Sequence, residues 1–157
     1  MRSLLVLVFS SALFQTGCGE QPEQNRPISA AVPIAVYKAQ APKGLERQSA
    51  GPGWQAVDFL GKHYLVAASP IFTERNITGA RSGKGTVGAL EVVLDEAGRQ
   101  AWNDFTAIRA NLNQPVGIKV GDRWTAFPAV LGQVSSGRAT LLGLTQEEIA
   151  AILGTGG

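Results

Sequence analysis

Residues 89–112, ALEVVLDEAGRQAWNDFTAIRANL, join a strand pattern directly to a helix pattern. Residues 89–94 alternate between apolar and other side chains, which indicates a half-buried strand. Asp95 has the side chain of a helix N-cap, and apolar residues follow it at spacings of three and four: Ala101, Phe105, Ile108 and Leu112, with Trp102 beside them. We therefore expect a strand followed by a long helix, which Pro115 ends.

The segment that follows predicts a hairpin and a second helix. Residues 116–120 and 123–127 are strand-like, and Gly121-Asp122 between them suits a two-residue type II′ turn. Thr145-Gln146-Glu147-Glu148 matches a capping box, in which the threonine hydroxyl meets the glutamate amide and the glutamate carboxylate reaches back. We expect the last helix to begin at this box, after one more strand at residues 139–142.

Upstream of the opening stretch the pattern is less regular. Residues 64–68 are compatible with a strand that Pro70 closes, and Thr73 can cap a single helical turn that runs to Gly79. Residues 81–88 contain three glycines and predict a loop. The resulting order, β-α-β-α-β-β-β-α, predicts an α+β domain in which helices pack on one face of a small, mainly antiparallel sheet.

The chain divides into three predicted regions. Residues 1–17 form a signal peptide, residues 18–53 a tether rich in Pro, Gln and Ala, and residues 54–157 the folded domain. Proline recurs throughout the tether, and this composition favours an extended spacer. The apolar residues between positions 28 and 37 are compatible with a short edge strand, but the prolines limit its length.

The N-terminus has the features of a secretory signal. Arg2 precedes an apolar run at residues 4–14 (LLVLVFSSALF), which is shorter than the ~20 residues that a helix needs to span a bilayer. Small residues then lead up to Cys18, the only cysteine of the chain. This arrangement resembles a bacterial lipoprotein signal, although Gln15 stands where that family usually has Leu. The resemblance implies cleavage between Gly17 and Cys18 and a lipid on the Cys18 sulfur. The alternative is an ordinary cleaved signal with a chance cysteine.

The predicted location follows from the same residues. A lipid on Cys18 would hold the protein in the cell envelope, with the folded domain facing the periplasm. In lipoproteins of Gram-negative bacteria, Asp after the modified cysteine tends to retain the protein at the inner membrane. Gly19 occupies that position here, so the resemblance favours the outer membrane over the inner membrane. We expect Cys18 to be the membrane link, because no second hydrophobic segment in the sequence approaches membrane-spanning length.

Composition argues against several classes of function. Lys and Arg number 14 and Asp and Glu number 12, without a block of like charge, which predicts no nucleic-acid partner. His63 is the only histidine, and one histidine with one cysteine makes a structural metal site unexpected. Residues 79–86 contain the residue types of a phosphate cradle but lack its spacing. We expect no cofactor, no metal and no catalysis; the alternative is a small envelope hydrolase that uses Asp95 or His63.

Several segments, taken in order, carry a resemblance to a known family. They are residues 69–73 (SPIFT), 92–98 (VVLDEAG) with Phe105 and Thr106, 117–122 (GIKVGD), 125–128 (TAFP) and 137–149 (GRATLLGLTQEEI). This succession is similar to the head subdomain of the first periplasmic region of SecD and SecDF, subunits of bacterial protein export. The turn dipeptide is inverted relative to that family, and Phe127 is inserted before Pro128. The resemblance implies a domain that contacts a polypeptide or a neighbouring protein. We carry over no proton-driven cycle, because no membrane-spanning bundle is recognisable in this sequence.

The sequence therefore favours a lipid-anchored, non-catalytic module that binds protein and is accessory to protein export. Exported polypeptides or other envelope proteins are the expected partners. Arg123 and Trp124, adjacent in the predicted hairpin, are candidate contact residues because aromatic residues and Arg are enriched at binding hot spots. Exposed sheet edges at this hairpin would allow strand addition by an extended chain. A structural or inhibitory lipoprotein unrelated to export is a further alternative.

Overall fold

Two antiparallel sheets and two α-helices make up residues 25–29, 32–41 and 50–155, the part of the chain that the computed structural model describes. The strands are β1 (Ile34–Gln40), β2 (Trp54–Phe59), β3 (Lys62–Thr73), β4 (Ile77–Ser82), β5 (Leu90–Leu94), β6 (Val116–Val120), β7 (Arg123–Ala126) and β8 (Arg138–Leu141). The helices are α1 (Glu96–Ala107) and α2 (Gln146–Leu153). The predicted α+β class with antiparallel pairing is confirmed, but the strands form two sheets where the sequence predicted one.

The larger sheet has the order β2-β3-β1-β6-β7, which places β1 at its centre. Ile34 and Val36 on β1 point into the main core, and their exposed fractions are 0% and 2%. The prediction that residues 18–53 form an extended tether is therefore wrong for β1, and the predicted edge strand is an inner one. Pro33 stands just before the first residue of this strand, so it removes no N–H from the ladder.

Residues 25–29 also contact the folded domain. Arg26 exchanges two backbone hydrogen bonds with Ala80 on β4, at 2.8 and 2.7 Å. The amide of Ser29 donates to the carbonyl of Ile152 on α2, at 2.7 Å. The predicted start of the domain at residue 54 is thus too late, because backbone pairing fixes this proline-containing segment against the domain.

The smaller sheet has the order β4-β5-β8. Glu91 on β5 accepts hydrogen bonds from Arg81 on β4, at 2.8 Å, and from Arg138 on β8, at 2.5 Å. This ion-pair ladder across three strands holds the pKa of Glu91 below its ordinary value, with Arg81 as the larger cause.

Residues 77–82 form strand β4, whereas the sequence predicted a helical turn up to Gly79 and a loop from residue 81. The helical turn is reduced to a 3₁₀ segment, Glu74–Asn76.

Helix α1 begins as predicted and ends earlier. The Asp95 carboxylate accepts the amide of Gly98 at 2.7 Å, as an N-cap does. At the other end, the Asn111 side chain donates to the Phe105 carbonyl at 2.8 Å, which satisfies a terminal carbonyl without another helical turn. Ile108 has extended backbone angles and is 54% exposed, so its predicted place in the core is wrong. Trp102 and Phe105 are buried as predicted.

The last helix and the predicted hairpin form as expected. In α2 the Thr145 hydroxyl accepts the Glu148 amide at 3.2 Å, and the Glu148 carboxylate accepts the Thr145 amide at 2.8 Å. In the hairpin Val120 pairs with Arg123, so the loop contains two residues. Gly121 has a φ of +58°, as the first position of a type II′ turn requires.

Candidate binding site

An apolar cavity of about 390 Å³ lies between the two sheets. The larger sheet contributes Val36, Phe72, Val116 and Ile118 from the face that carries the main core. Helix α1 contributes Trp102, and residues 139–141 of the edge strand β8, with Leu142 directly after it, complete the wall. A cavity of this size and lining is suited to bind an apolar group with few polar contacts.

An irregular segment, residues 128–134, forms one wall of the cavity, and hydrogen bonds hold both of its ends. At one end the Val130 amide donates to the Gln114 carbonyl at 3.0 Å. At the other end the Val134 amide donates to the hydroxyl of Thr106 on α1 at 2.9 Å. Between these points Leu131 is 84% exposed. The segment is therefore fixed at both ends and presents an apolar side chain to solvent at the cavity rim.

The ring of Trp102 forms part of the cavity wall. Its side chain is 7% exposed, and its Nε1 is buried without a hydrogen-bond partner among the described residues. The ring itself is fixed, because Phe72 meets it edge-on at 5.7 Å and Phe105 stacks on it at 5.8 Å. A buried donor without an acceptor costs about 1–3 kcal/mol, so this N–H lowers the stability of the fold around it.

The opposite side of the larger sheet carries a second cluster of rings, which we call the aromatic face. It consists of half-buried Tyr37, Phe59, Tyr64, Trp124 and Phe127. Tyr64 stacks on Phe127 with ring centroids 4.1 Å apart, and Phe127 also contacts the rings of Phe59 and Trp124. These rings pack over a small buried cluster of Ala39, Val57 and Val66.

The two predicted contact residues, Arg123 and Trp124, lie in different surroundings. Trp124 belongs to the aromatic face, where Tyr37 meets its ring edge-on at 5.5 Å and the Lys119 ammonium lies 5.8 Å from its centroid. Arg123 turns to α2: its Nε donates to Glu148 at 3.0 Å and its Nη2 to the Gly143 carbonyl at 3.1 Å. A protein-contact role for either residue remains a prediction.

The residues named for the alternative hydrolase have local partners. Asp95 caps α1 and also accepts from the Asn76 side chain at 3.3 Å. His63 on β3 contacts Asp58 on the neighbouring strand β2 through its Nδ1. Asp95 and His63 therefore lie on different elements and take part in separate contacts. Gly17, Cys18 and Gly19, predicted for cleavage, lipidation and sorting, lie outside the described residues.

Sequence reasoning did not identify the cavity. Its wall at residues 128–134 contains Val130, Leu131 and Val134 in a segment with neither helix nor strand periodicity. The sequence does contain one sign of this cavity wall, namely apolar residues in an irregular segment between two strands. The unpaired N–H of Trp102 leaves no trace in the sequence, because it depends on which acceptors the fold brings near it.

Comparison with known proteins gives matches at the level of structure. No protein-family model matches the chain, and no curated protein matches its sequence. Two solved structures do resemble it, with TM-scores of 0.50 and 0.51 at 17% and 13% sequence identity. Both are structures of SecDF. One is SecDF in a super-membrane-facing form, and the other is described as a membrane component that enhances protein export.

The extent of the two matches limits what the likeness to SecDF shows. The match covers 78% of this chain and 19% of the first SecDF chain, and 84% of this chain and 64% of the second. At these identities the likeness shows a SecDF-like fold, which confirms that part of the predicted resemblance. Within the described ranges, no helix is both long and apolar enough to cross a membrane.

Proposed function

We propose that this protein is a non-catalytic module of the bacterial cell envelope that binds extended polypeptide segments and is accessory to protein export. In this proposal the domain corresponds to the SecD/SecDF head subdomain, a lipid on Cys18 holds it in the membrane, and it faces the periplasm. The observation that carries the proposal is the apolar cavity between the sheets, together with its position beside the edge strand β8.

The cavity suits a bulky apolar side chain of an extended polypeptide. Its lining is mostly aliphatic and aromatic, and Leu131 at its rim is exposed rather than packed. Strand β8 pairs with β5 on one side, and no other described strand pairs with it. A polypeptide that adds beside β8 can therefore satisfy its backbone hydrogen bonds while alternate side chains reach the cavity. Burial of one large side chain contributes about 1.5–3 kcal/mol, which suits weak, reversible holding of many sequences.

The cavity can be tested by filling it. Ala139 lines the cavity on β8, and we expect Ala139→Phe to occupy it, whereas Ala97→Phe changes an exposed position on α1. The probe is a fluorescein-labelled, unstructured peptide with alternating Leu and Ser, titrated into the full-length chain and followed by anisotropy. We expect Ala139→Phe to weaken binding at least about tenfold, the equivalent of 1.4 kcal/mol, and Ala97→Phe to leave it unchanged. Equal affinities of the two variants for the peptide would overturn the proposed site.

The proposed location in the cell envelope is tested by labelling with palmitate and by fractionation of the membranes. We expect the wild type to incorporate radiolabelled palmitate and to sediment with outer-membrane fractions, in keeping with Gly19, whereas Cys18→Ala does neither. A wild-type protein that stays in the soluble fraction would refute the lipid anchor. Recovery with inner-membrane fractions would refute the outer-membrane part alone.

A role in export is tested by site-specific crosslinking in living cells. A photoactivatable residue at Leu131, on the cavity rim, should capture secretory polypeptides. The same residue at Val87, which is 93% exposed in the β4–β5 loop, serves as the control. Capture of folded envelope proteins alone would keep the binding module and remove the link to export.

A further inference from the structure

The tip of the β2–β3 hairpin exposes an apolar residue in a strained conformation. Phe59 pairs with Lys62, so the turn consists of Leu60 and Gly61. Leu60 has a φ of +47° and its side chain is 87% exposed. The left-handed region costs a residue other than glycine about 1–2 kcal/mol, and here no burial of the side chain offsets that cost. A leucine at this position is therefore favoured neither by the local backbone nor by packing within the chain.

The hairpin tip continues the aromatic face. Phe59, directly before Leu60, lies 5.2 Å from Phe127 at the ring centroids. Tyrosine and tryptophan rings have an apolar body and a polar tip, and such residues concentrate where hydrocarbon meets water. The face thus combines an exposed aliphatic side chain at one end with amphipathic rings along its length.

Two lysines flank this face. Lys62 shares the face with Phe59, its cross-strand partner, and Lys119 lies over Trp124. Asp58 and His63 form the next pair along the β2–β3 hairpin and point to the other side of the sheet. The aromatic face therefore complements a surface that is apolar and negatively charged.

We propose that the aromatic face and the Leu60 tip dock on the surface of an anionic phospholipid bilayer. Leu60 enters the headgroup region, the tyrosine and tryptophan rings lie at the interface, and Lys62 and Lys119 pair with lipid phosphates. An extended polypeptide is the alternative occupant. Among the described strands it can add only beside the edge strands β2 and β7, which carry Phe59 and Trp124, because β3, β1 and β6 are paired on both sides.

This docking is independent of the cavity and of the lipid proposed for Cys18. The cavity lies on the opposite side of the larger sheet, so a domain held against a bilayer by its aromatic face keeps the cavity available. The proposal therefore assigns an orientation: the aromatic face lies toward the membrane and the cavity away from it.

A site-specific fluorescent probe tests the orientation in the full-length chain. In a Cys18→Ser background, an environment-sensitive nitrobenzoxadiazole label is attached to Leu60→Cys or to Val87→Cys, an exposed position in the β4–β5 loop. Both proteins are mixed with vesicles of phosphatidylglycerol and phosphatidylcholine, and with vesicles of phosphatidylcholine alone. Any binding through the N-terminal apolar run is common to the two labelled chains, so only the difference between the two positions counts.

We expect the label at position 60 to gain at least about twofold in intensity and to shift to shorter wavelength with the anionic vesicles, and the label at position 87 to change little. In the double variant Lys62→Glu, Lys119→Glu, the vesicle affinity measured with the label at position 60 should fall at least tenfold. Equal responses at positions 60 and 87, or none at position 60, would overturn the proposal. A response of position 60 to an acidic, tyrosine-containing peptide without vesicles would overturn it in favour of a polypeptide partner.

Discussion

The two faces of the larger sheet use alternate residues of the same strands in different ways. Toward the main core, Ile34, Val36 and Ile118 are at most 2% exposed. On the aromatic face, Tyr37 from the same strand is half-buried, and its ring packs against Trp124. The inner face carries most of the stability that this sheet contributes, because its side chains are fully removed from water. The aromatic face keeps ring surface in contact with solvent, and this surface remains available to a partner.

The strongest test of this contrast compares two truncations on β1. We expect Ile34→Ala to lower the free energy of unfolding by about 2–5 kcal/mol, because it leaves a cavity in the core. We expect Tyr37→Ala to cost about 1–2 kcal/mol, because its ring is half-buried and loses one edge-on contact. Urea denaturation followed by far-ultraviolet circular dichroism measures both. If Tyr37→Ala cost as much as Ile34→Ala, the aromatic face would be a second core and not a contact surface.

Gly117→Ala tests how closely the rings cover the sheet. A Cβ at Gly117 would lie 2.9 Å from the Trp124 ring and 3.0 Å from the Phe127 ring, so both rings must move. We expect a loss of about 1 kcal/mol, because the crowding atoms are at the ends of side chains. A change of tryptophan emission should accompany this loss. Gly51→Ala, where no atom lies within 4 Å, is the matched control and should be neutral. A neutral Gly117→Ala would show that the rings do not cover this strand in solution.

Local signals accounted for the parts of the fold that local contacts determine. The Asp95 N-cap, the Thr145 capping box and the Gly121-Asp122 turn all form as predicted, since each depends on residues within three or four positions. Two of the three strands of the smaller sheet were predicted: β5 and β8 were recognised, whereas residues 77–82 were assigned to a turn and a loop. Their place in β4 follows from pairing with β5 and from the ion pair between Arg81 and Glu91.

The central strand β1 was missed for a physical reason. Prolines on both sides of residues 34–40 give the segment the composition of a spacer, and the pattern of a strand is only seven residues long. Its pairing partners, β3 and β6, begin 28 and 82 residues after its first residue. Burial of Ile34 and Val36 between these distant strands determines its structure, and one sequence read locally does not contain that information. The cavity was missed for the same reason, because its walls come from six separate parts of the chain.

At the hairpin tip we expect a substitution to raise the stability of the fold and to weaken its contact with the membrane. We expect Leu60→Asn to raise the free energy of unfolding by about 0.5–1 kcal/mol, since Asn tolerates a positive φ better than Leu does. The same change should weaken vesicle binding, because it removes the exposed aliphatic side chain. Thermal denaturation and vesicle co-sedimentation measure the two effects. A variant that is more stable and binds vesicles as well as the wild type would show that Leu60 has no contact role there.

The smallest expected change in the free energy of unfolding concerns Arg123, which lies at the junction of the larger sheet and α2. Burial alone would raise the pKa of Glu148, but hydrogen bonds from Arg123 and from the Thr145 amide outweigh burial and hold the pKa below 4.5, the ordinary value. The folded state therefore binds a proton less readily than the unfolded state. The stabilisation is complete above about pH 4.5 and is lost as the pH falls through the lowered pKa of the folded state.

We expect Arg123→Gln and Glu148→Gln each to cost about 0.5–1 kcal/mol at pH 7, because the guanidinium is nearly half exposed and water screens the pair. Urea denaturation of both variants at pH 7 and pH 3 should show that the difference from the wild type shrinks at the lower pH. The double variant should cost little more than either single change, since both remove one interaction. If Arg123→Gln left stability unchanged and instead weakened polypeptide binding, Arg123 would belong with Trp124 as a contact residue and not with the internal contacts of the fold.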